Sequence, residues 1–475
     1  MNRKLAVVTL MTLTVVSAFL VYQLLFRGPR FSGPDSRPEL ATGAAPDSGL
    51  QLSTQSTTWS RFRGPNGQGA ADPAGVPLQW SSESNLQWRT SLPGPGSSSP
   101  VLTKDRVFLT CYSGYGVDPQ APGNIDDLKR HLVCVQRSNG EILWSKTIPA
   151  VQPEQPWRGN GLPEHGYATN TPVTDGQNVY AFFGKSGVFA YDRDGNALWE
   201  RSVGDGLGER GWGTCASLIL FNDLVIVNAA EESNALVALR KDTGEVAWRA
   251  TSPRLSSAFT TPVLVPIDDQ RTDLVMPVIE EIWGINPVDG KLRWFCQSPI
   301  GGNVSPITIV DGQKVYCCGG YQKEGSICVQ AGGTGDVSET NVLWTSDETS
   351  YISSPVLYKD LLFWLGNDRF FYCQDTADGQ LVEKSRIPSS WGTGRMGYAS
   401  SVLVGDKILV TTRHKGIVVV EAQPELEVVY QNQFADDDSQ FNATPAIDSG
   451  QIYIRSNRYL YCVGQPTEET AVVAP

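Results

Sequence analysis

The residues best equipped for chemistry in this 475-residue chain stand in short aromatic and basic stretches. One holds Trp157, Arg158, Glu164, His165 and Tyr167. Others hold Arg210 with Trp212, Trp391 with Arg395 and Tyr398, and the acidic run Asp436 to Asp438. Such side chains anchor recognition surfaces, because a ring buries a large area at small entropic cost and Arg donates several directed hydrogen bonds. Their spacing does not make a reaction centre. His131, His165 and His414 are widely separated, and there is neither a G-x-S-x-G nucleophile turn nor an H-E-x-x-H zinc pair. The nine Cys include no C-x-x-C, so zinc-ribbon and c-type haem readings lack support. Most stand in apolar runs such as Leu132-Val-Cys134-Val135, where a small buried core residue is expected. A net charge of −12 without a basic stripe argues against a nucleic-acid partner.

The elements that must hold these residues are short strands. Gly is abundant at 47 residues and Trp at 13, a composition of tight turns and sheet. A Gly followed four residues later by Trp recurs as Gly140-Glu-Ile-Leu-Trp144, Gly195-Asn-Ala-Leu-Trp199, Gly244-Glu-Val-Ala-Trp248 and Gly290-Lys-Leu-Arg-Trp294, with related Trp at 88 and 344. A Ser/Thr-Pro pair opening an apolar run recurs at Pro100, Pro172, Pro262, Pro306, Pro355 and Pro445, with Ser217 and Ser401 standing where two further Pro would fall. A period in the forties at this strand density means propeller blades, and the copies number eight. The first Trp strand, Leu86 to Trp88, precedes any Pro strand, while the last unit ends near Val463 without one. The N-terminal strand is therefore expected to complete the last blade and close the ring, which removes exposed sheet edges.

Arg3 and Lys4 precede a largely apolar run of 22 residues, Leu5 to Phe26. That length suits a spanning helix better than a cleaved signal. No Cys precedes Cys111, which argues against a lipid-bearing N-terminal Cys. The expected organisation is an anchor at 1–27, a flexible Pro/Ser/Gly/Ala-rich linker at 28–58, an all-β eight-bladed propeller at 59–466 and a disordered tail at 467–475.

The repeat, best seen in Lys241-Asp-Thr-Gly-Glu-Val-Ala-Trp248, and the leading segment Trp59-Ser-Arg-Phe-Arg-Gly-Pro-Asn66 resemble the PQQ-like (quinoprotein-type) propeller repeat family. Two branches of that family imply different functions. The branch of the outer-membrane protein assembly factor BamB implies a non-enzymatic scaffold. The quinoprotein alcohol dehydrogenases imply PQQ and calcium in the central channel, with adjacent Cys against the cofactor. Cys317-Cys318 matches that feature only superficially, since neighbouring strand residues point to opposite faces. A carbohydrate- or ligand-sensing module is a third reading, suggested by the aromatic loops.

In a four-stranded blade, second-to-third loops share a face with the connections between blades. The two longest loops, Tyr112 to Arg130 and Pro149 to Tyr167, are of these two kinds and emerge side by side. The binding face is accordingly expected to involve Trp157, Arg158, His165, Tyr167, Asn170, Arg210, Trp212, Arg395, Tyr398 and Asn442, with no catalytic, cofactor or metal residues assigned. The expectation is a monomer exported across the cytoplasmic membrane and held there, binding protein partners on the periplasmic side without a cofactor. The small polar clusters that open the inner strands, such as Ser97 to Ser99 and Thr169 to Thr171, are expected to be small for steric reasons where eight strands converge.

Overall fold

The structure, a computed structural model, describes residues 36–40, 58–159, 161–392 and 397–465. The anchor expected at 1–27, most of the linker, Arg395 and the tail at 467–475 lie outside the described residues. Among the described residues no helix is long and apolar enough to cross a membrane.

Eight antiparallel sheets make an all-β, eight-bladed propeller. Blade 1 is built from Val101–Leu102, Arg106–Ser113, Lys129–Gln136 and Ile142–Pro149, hydrogen-bonded in that order. Blades 2 to 7 repeat the order over 173–201, 219–251, 263–297, 309–346, 356–386 and 402–432. In blade 8, Ala446–Asp448, Gln451–Arg455 and Tyr459–Gly464 are completed by Leu86–Ser91, which pairs antiparallel with Tyr459–Gly464. The expected closure is therefore present. First strands of neighbouring blades touch, so they line the axis. Second and third strands are covered on both faces by adjacent blades, which is why Leu224–Ala229 is buried at every residue. Most fourth strands face solvent, as Ala197–Arg201 does, whereas Leu292–Gln297 of blade 4 is covered.

The Gly–Trp signature is a lock between blades. The indole Nε1 of Trp88, Trp144, Trp199, Trp248 and Trp344 donates to a backbone carbonyl in the third-to-fourth turn of the next blade, at 2.8–3.1 Å. The Gly of that turn lies under the same ring. A Cβ on Gly244 would stand 2.6 Å from Trp199, and its φ of +70° is one that L side chains rarely adopt. Trp294 departs from the pattern: its Nε1 donates to Asp273 of its own blade. There the long segment 331–341 of blade 5 lays Gly335–Asp336 parallel against Trp294 and Phe295.

Hydroxyls in the clusters at the inner strands form a second inter-blade device. The amides of Ser99, Thr171 and Ser217 donate to the hydroxyls of Thr171, Ser217 and Thr261. The amides of Ile307, Ser354 and Ser400 donate to Ser354, Ser400 and Thr444. The distances are 2.8–3.1 Å. Steric fit is thus only half of what these positions do. Each hydroxyl also satisfies a buried amide that has no ladder partner. Between blades 8 and 1 the link is Arg455, whose Nη1 donates to Thr110 O at 2.6 Å and to Ser98 Oγ at 2.8 Å.

The leading segment crosses the turn-side end of the ring. Trp59 O and Ser60 O accept from Leu102 and Thr174 in blades 1 and 2. Gln68 Oε1 accepts from Val310 in blade 5, and Ala70–Ala71 pairs parallel with blade 7. Arg63, fully buried, donates to Ser401 O, Pro355 O and Gln68 O at 2.6–3.0 Å. On the outside of blade 4, Arg37 pairs with the buried carboxylate of Glu281, and Glu39 O accepts from Leu292 on the outer strand.

Candidate functional site

The opposite end of the ring carries the long loops. The strands of blade 1 run further than expected, so the first loop is 114–128 and the connection to blade 2 is 150–172. The two loops share an aromatic cluster of Tyr112, Tyr115, Trp157 and Tyr167, with ring centroids 5.5–6.4 Å apart. Backbone contacts fix it: Tyr167 OH donates to Gln155 O at 2.6 Å and Trp157 N donates to Tyr115 OH at 2.9 Å. Gly116 and Gly166 leave room for the rings, since a Cβ on either would stand 2.4 Å from Trp157 or Tyr112. Tyr167 is buried and Trp157 half-buried, while Arg158 is exposed.

From this cluster the one-turn helix Leu162–His165 reaches across the mouth of the ring. Ser97 Oγ donates to His165 O at 2.7 Å. On the far side, Arg413 of blade 7 pairs with the Glu164 carboxylate and donates to Glu164 O at 2.7 Å. Asn442, at the start of blade 8, donates to the same carbonyl at 3.2 Å. Tyr398 lies between, with the His165 ring 6.3 Å and the Arg413 guanidinium 5.3 Å from its own ring. Loops from blades 1 and 2 are thereby joined to blades 7 and 8.

His165 has a defined state. Its Nε2 faces Trp212 O at 3.0 Å, and a carbonyl only accepts, so Nε2 carries the proton and Nδ1 accepts from Thr169 Oγ1 at 2.7 Å. Burial pushes its pKa down to about 4, so the ring is neutral near pH 7. Next to it, Trp212 stacks on Phe259 at 5.7 Å, and the exposed Arg210 lies over Trp212 and donates to Ser257 Oγ at 3.0 Å. Asn170 is buried and donates to Ala216 O at 2.6 Å, a bridge between blades 2 and 3.

The structure thus gathers nine of the ten expected residues on one face. Arg395 lies outside the described residues. Tyr167, Asn170 and Asn442 are engaged inward, whereas Arg158 and Arg210 are exposed. Trp391 is also turned into the core, and Asp437 accepts from Tyr461 OH at 2.8 Å. Four residues escaped the sequence reading: Arg413, which ties the mouth shut, and Glu154, Glu231 and Glu232. The last two form a one-turn helix with Ala230 and Ser233 in the second-to-third loop of blade 3. Their only sequence signal is a double acid directly after a buried strand.

For PQQ and calcium the fit is poor. All nine Cys are free thiols, and Cys317 and Cys318 are buried neighbours in one strand of blade 5, where Cys317 contacts Thr308 Oγ1 at 3.4 Å. Calcium prefers carboxylate-rich oxygen cages. Among the described residues no three His, Cys, Asp or Glu form a group that could hold a metal ion.

Blade number, repeat signature and closure define a PQQ-like repeat propeller. A sequence profile described as outer membrane protein assembly factor BamB matches residues 78–211 and 129–385, and the chain belongs to that family. Among solved structures, BamB from Moraxella catarrhalis superposes with a TM-score of 0.53 at 12% identity, covering 80% of this chain and 98% of that one. The computationally designed protein Ika8 gives 0.52 at 10% identity, covering 80% and 99%. The C-terminal WD40 domain of Sif2 gives 0.50 at 11%, again covering 80% and 99%. At these identities the likeness is one of fold. No curated protein sequence matches the chain.

Proposed function

We propose that this propeller is a non-enzymatic scaffold that binds protein partners through its long-loop face. An N-terminal anchor at 1–27 holds it, as a monomer, on the outer side of the cytoplasmic membrane. In this reading its partners are membrane or periplasmic proteins, in keeping with the role in outer-membrane protein assembly that the family's description carries. One observation carries the proposal. The mouth of the ring at the loop-rich end is crossed by the chain's own Leu162–His165, tied down by Arg413 and Asn442. Beside that crossing Trp157, Arg158, Arg210 and Trp212 offer anchors for a surface partner.

The test is site-specific photo-crosslinking in membranes of cells carrying the full chain. A photoreactive residue at Arg158 or Arg210 is expected to give discrete adducts with membrane or periplasmic proteins, and one at Asp242 on the opposite face is not. Equal labelling from both faces would count against the reading. So would a saturable rise in melting temperature that needs PQQ and calcium together.

A further inference from the structure

Beside the mouth, between the loops of blades 1, 2 and 3, lies a small cleft of about 30 Å³ lined by Arg130, Glu154, Tyr167, Lys185, Glu231 and Glu232 among others. Its enclosed part has room for a group the size of a water molecule or an ammonium. Three of its carboxylates are more than nine-tenths buried: Glu154 at 7%, Glu231 at 7% and Glu232 at 5% exposure. Each has an oxygen without a hydrogen-bond partner among the described residues, namely Glu154 Oε1, Glu231 Oε2 and Glu232 Oε2. Buried polar atoms are almost always satisfied, so three orphan acceptors lining one cleft call for a donor.

The chain's own cations do not supply it. Arg130 donates to the other oxygen of Glu154 at 2.9 Å, to Tyr167 O at 3.2 Å and to Ser186 Oγ at 3.3 Å. Lys185 Nζ donates to Gln152 O and Pro153 O at 3.4 and 3.2 Å. Arg210 donates to Ser257 Oγ and lies over Trp212. Glycines shape the rest of the wall. A Cβ on Gly208 would come 1.7 Å from Glu231 Oε2, and one on Gly184 would come 3.1 Å from Glu232 Oε1. The acids are thus held in a fitted recess and are not solvated on a surface.

We infer that this cleft receives a primary ammonium group, drawn in by the unpartnered oxygens of Glu231, Glu232 and Glu154 that line it beside the Tyr167 ring. An ammonium is a compact point charge with three donors, which suits a small space walled by carboxylates, whereas a guanidinium is broad and planar. The ammonium comes either from a lysine side chain of a partner protein, a source that rests on the scaffold reading, or from a free amine.

Charge state gives the site a pH dependence. Burial, more than any neighbour, pushes both carboxyls up to about 8; Arg210 opposes this at Glu231, where Glu209 reinforces it, and Glu231 reinforces it at Glu232. Arg130 and Glu154 act on Glu232 in opposite directions, and Lys185 and the Cys215 thiol also face the pair. The ionised pair, which binds a cation, is therefore populated above about pH 8.

The experiment is calorimetry on the full chain in detergent with n-butylammonium, Nα-acetyl-lysine methylamide and the neutral isostere butan-1-ol, at pH 8.5 and 6.5. Both amines are expected to bind saturably and at least about tenfold more tightly than the alcohol. At pH 6.5 binding is expected to weaken by about tenfold or more, as carboxyls with pKa near 8 take up protons. The double substitution Glu231→Gln/Glu232→Gln is expected to weaken binding by at least about tenfold, and its melting temperature reports that it folds. Tighter binding of the lysine derivative assigns the site to a protein partner, and the reverse order to a free amine. Alcohol binding as strong as amine binding, or amine affinity indifferent to pH, overturns the inference from the wild type alone. So does displacement of the amine by equimolar calcium. Photo-crosslinking from Arg158 is read in the same preparations. Adducts without amine binding overturn this site and leave the scaffold standing, whereas loss of both overturns both.

Discussion

The two ends of the ring are both closed by the protein's own chain, but by different means. At the turn-side end, Trp59 to Ala71 is held largely by backbone: carbonyls of Trp59, Ser60 and Gly69 accept from inner-strand amides, and Ala70–Ala71 adds a parallel strand. Arg63, fully buried there, donates only to main-chain carbonyls. At the loop end, Leu162–His165 is held across the mouth by the side chains of Arg413, Asn442 and Ser97. A closure woven into the ladders opens only when the sheet does. A closure made of side chains on a one-turn helix can open locally. The comparison separates a structural end from an end suited to recognition.

The largest effect that would break this comparison is Arg63→Ala. It strips donors from several buried carbonyls, and a loss of about 3–5 kcal/mol in chemical denaturation is expected. A loss under about 1 kcal/mol would mean that the turn-side end is not structural after all. As a ruler that touches neither the leading segment nor the mouth helix, Gly244→Ala strains a +70° φ and drives a methyl into Trp199, for an expected loss of about 2–4 kcal/mol.

Arg413→Ala should cost less, about 1–2 kcal/mol. It should also raise hydrogen exchange over 161–169 with little change over 59–71; equal change at both ends would remove the distinction. Further effects are in pH. The unfolded imidazole titrates near 6.5 and that of His165 near 4, so the unfolded chain binds the extra proton between those values. Stability, and protection of 161–169 before the rest, should fall as pH drops from 6.5 towards 4. Glu231 and Glu232 have the opposite sign. From 4.5 to about 8 the folded chain keeps protons that the unfolded chain has lost, so they contribute a fall in stability as pH rises. Glu231→Gln/Glu232→Gln should therefore melt higher than the wild type at pH 8 and level with it near pH 4.5.

The architecture was legible in the sequence because its determinants are local and repeated. Gly244 and Trp248 mark the turn and the strand they sit in, whatever they touch in the next blade, and six of the eight copies keep the Trp. The closing strand was legible in the same way: Leu86–Ser91 stands where the unpaired first Trp strand, Leu86 to Trp88, was expected. The face was legible too, since loop length alone places 114–128 and 150–172 side by side. Individual roles were not. Tyr167 and Asn170 have the residue types of a binding site, yet the fold turns one into a loop core and the other into a bridge between blades. Glu231 and Glu232 look like a solvated acidic pair, yet the fold buries them.

The sequence by itself determined the number of blades, their internal order and the closure of the ring, because hydrophobic period, turn glycines and Trp spacing are properties of neighbouring residues. Only the tertiary structure decided that Arg63 plugs one end, that Arg413 meets Glu164 across the other, and that unpartnered carboxylates share one cleft. Those pairs lie up to 338 residues apart. What brings them together is the curvature of eight packed sheets, which no local pattern records.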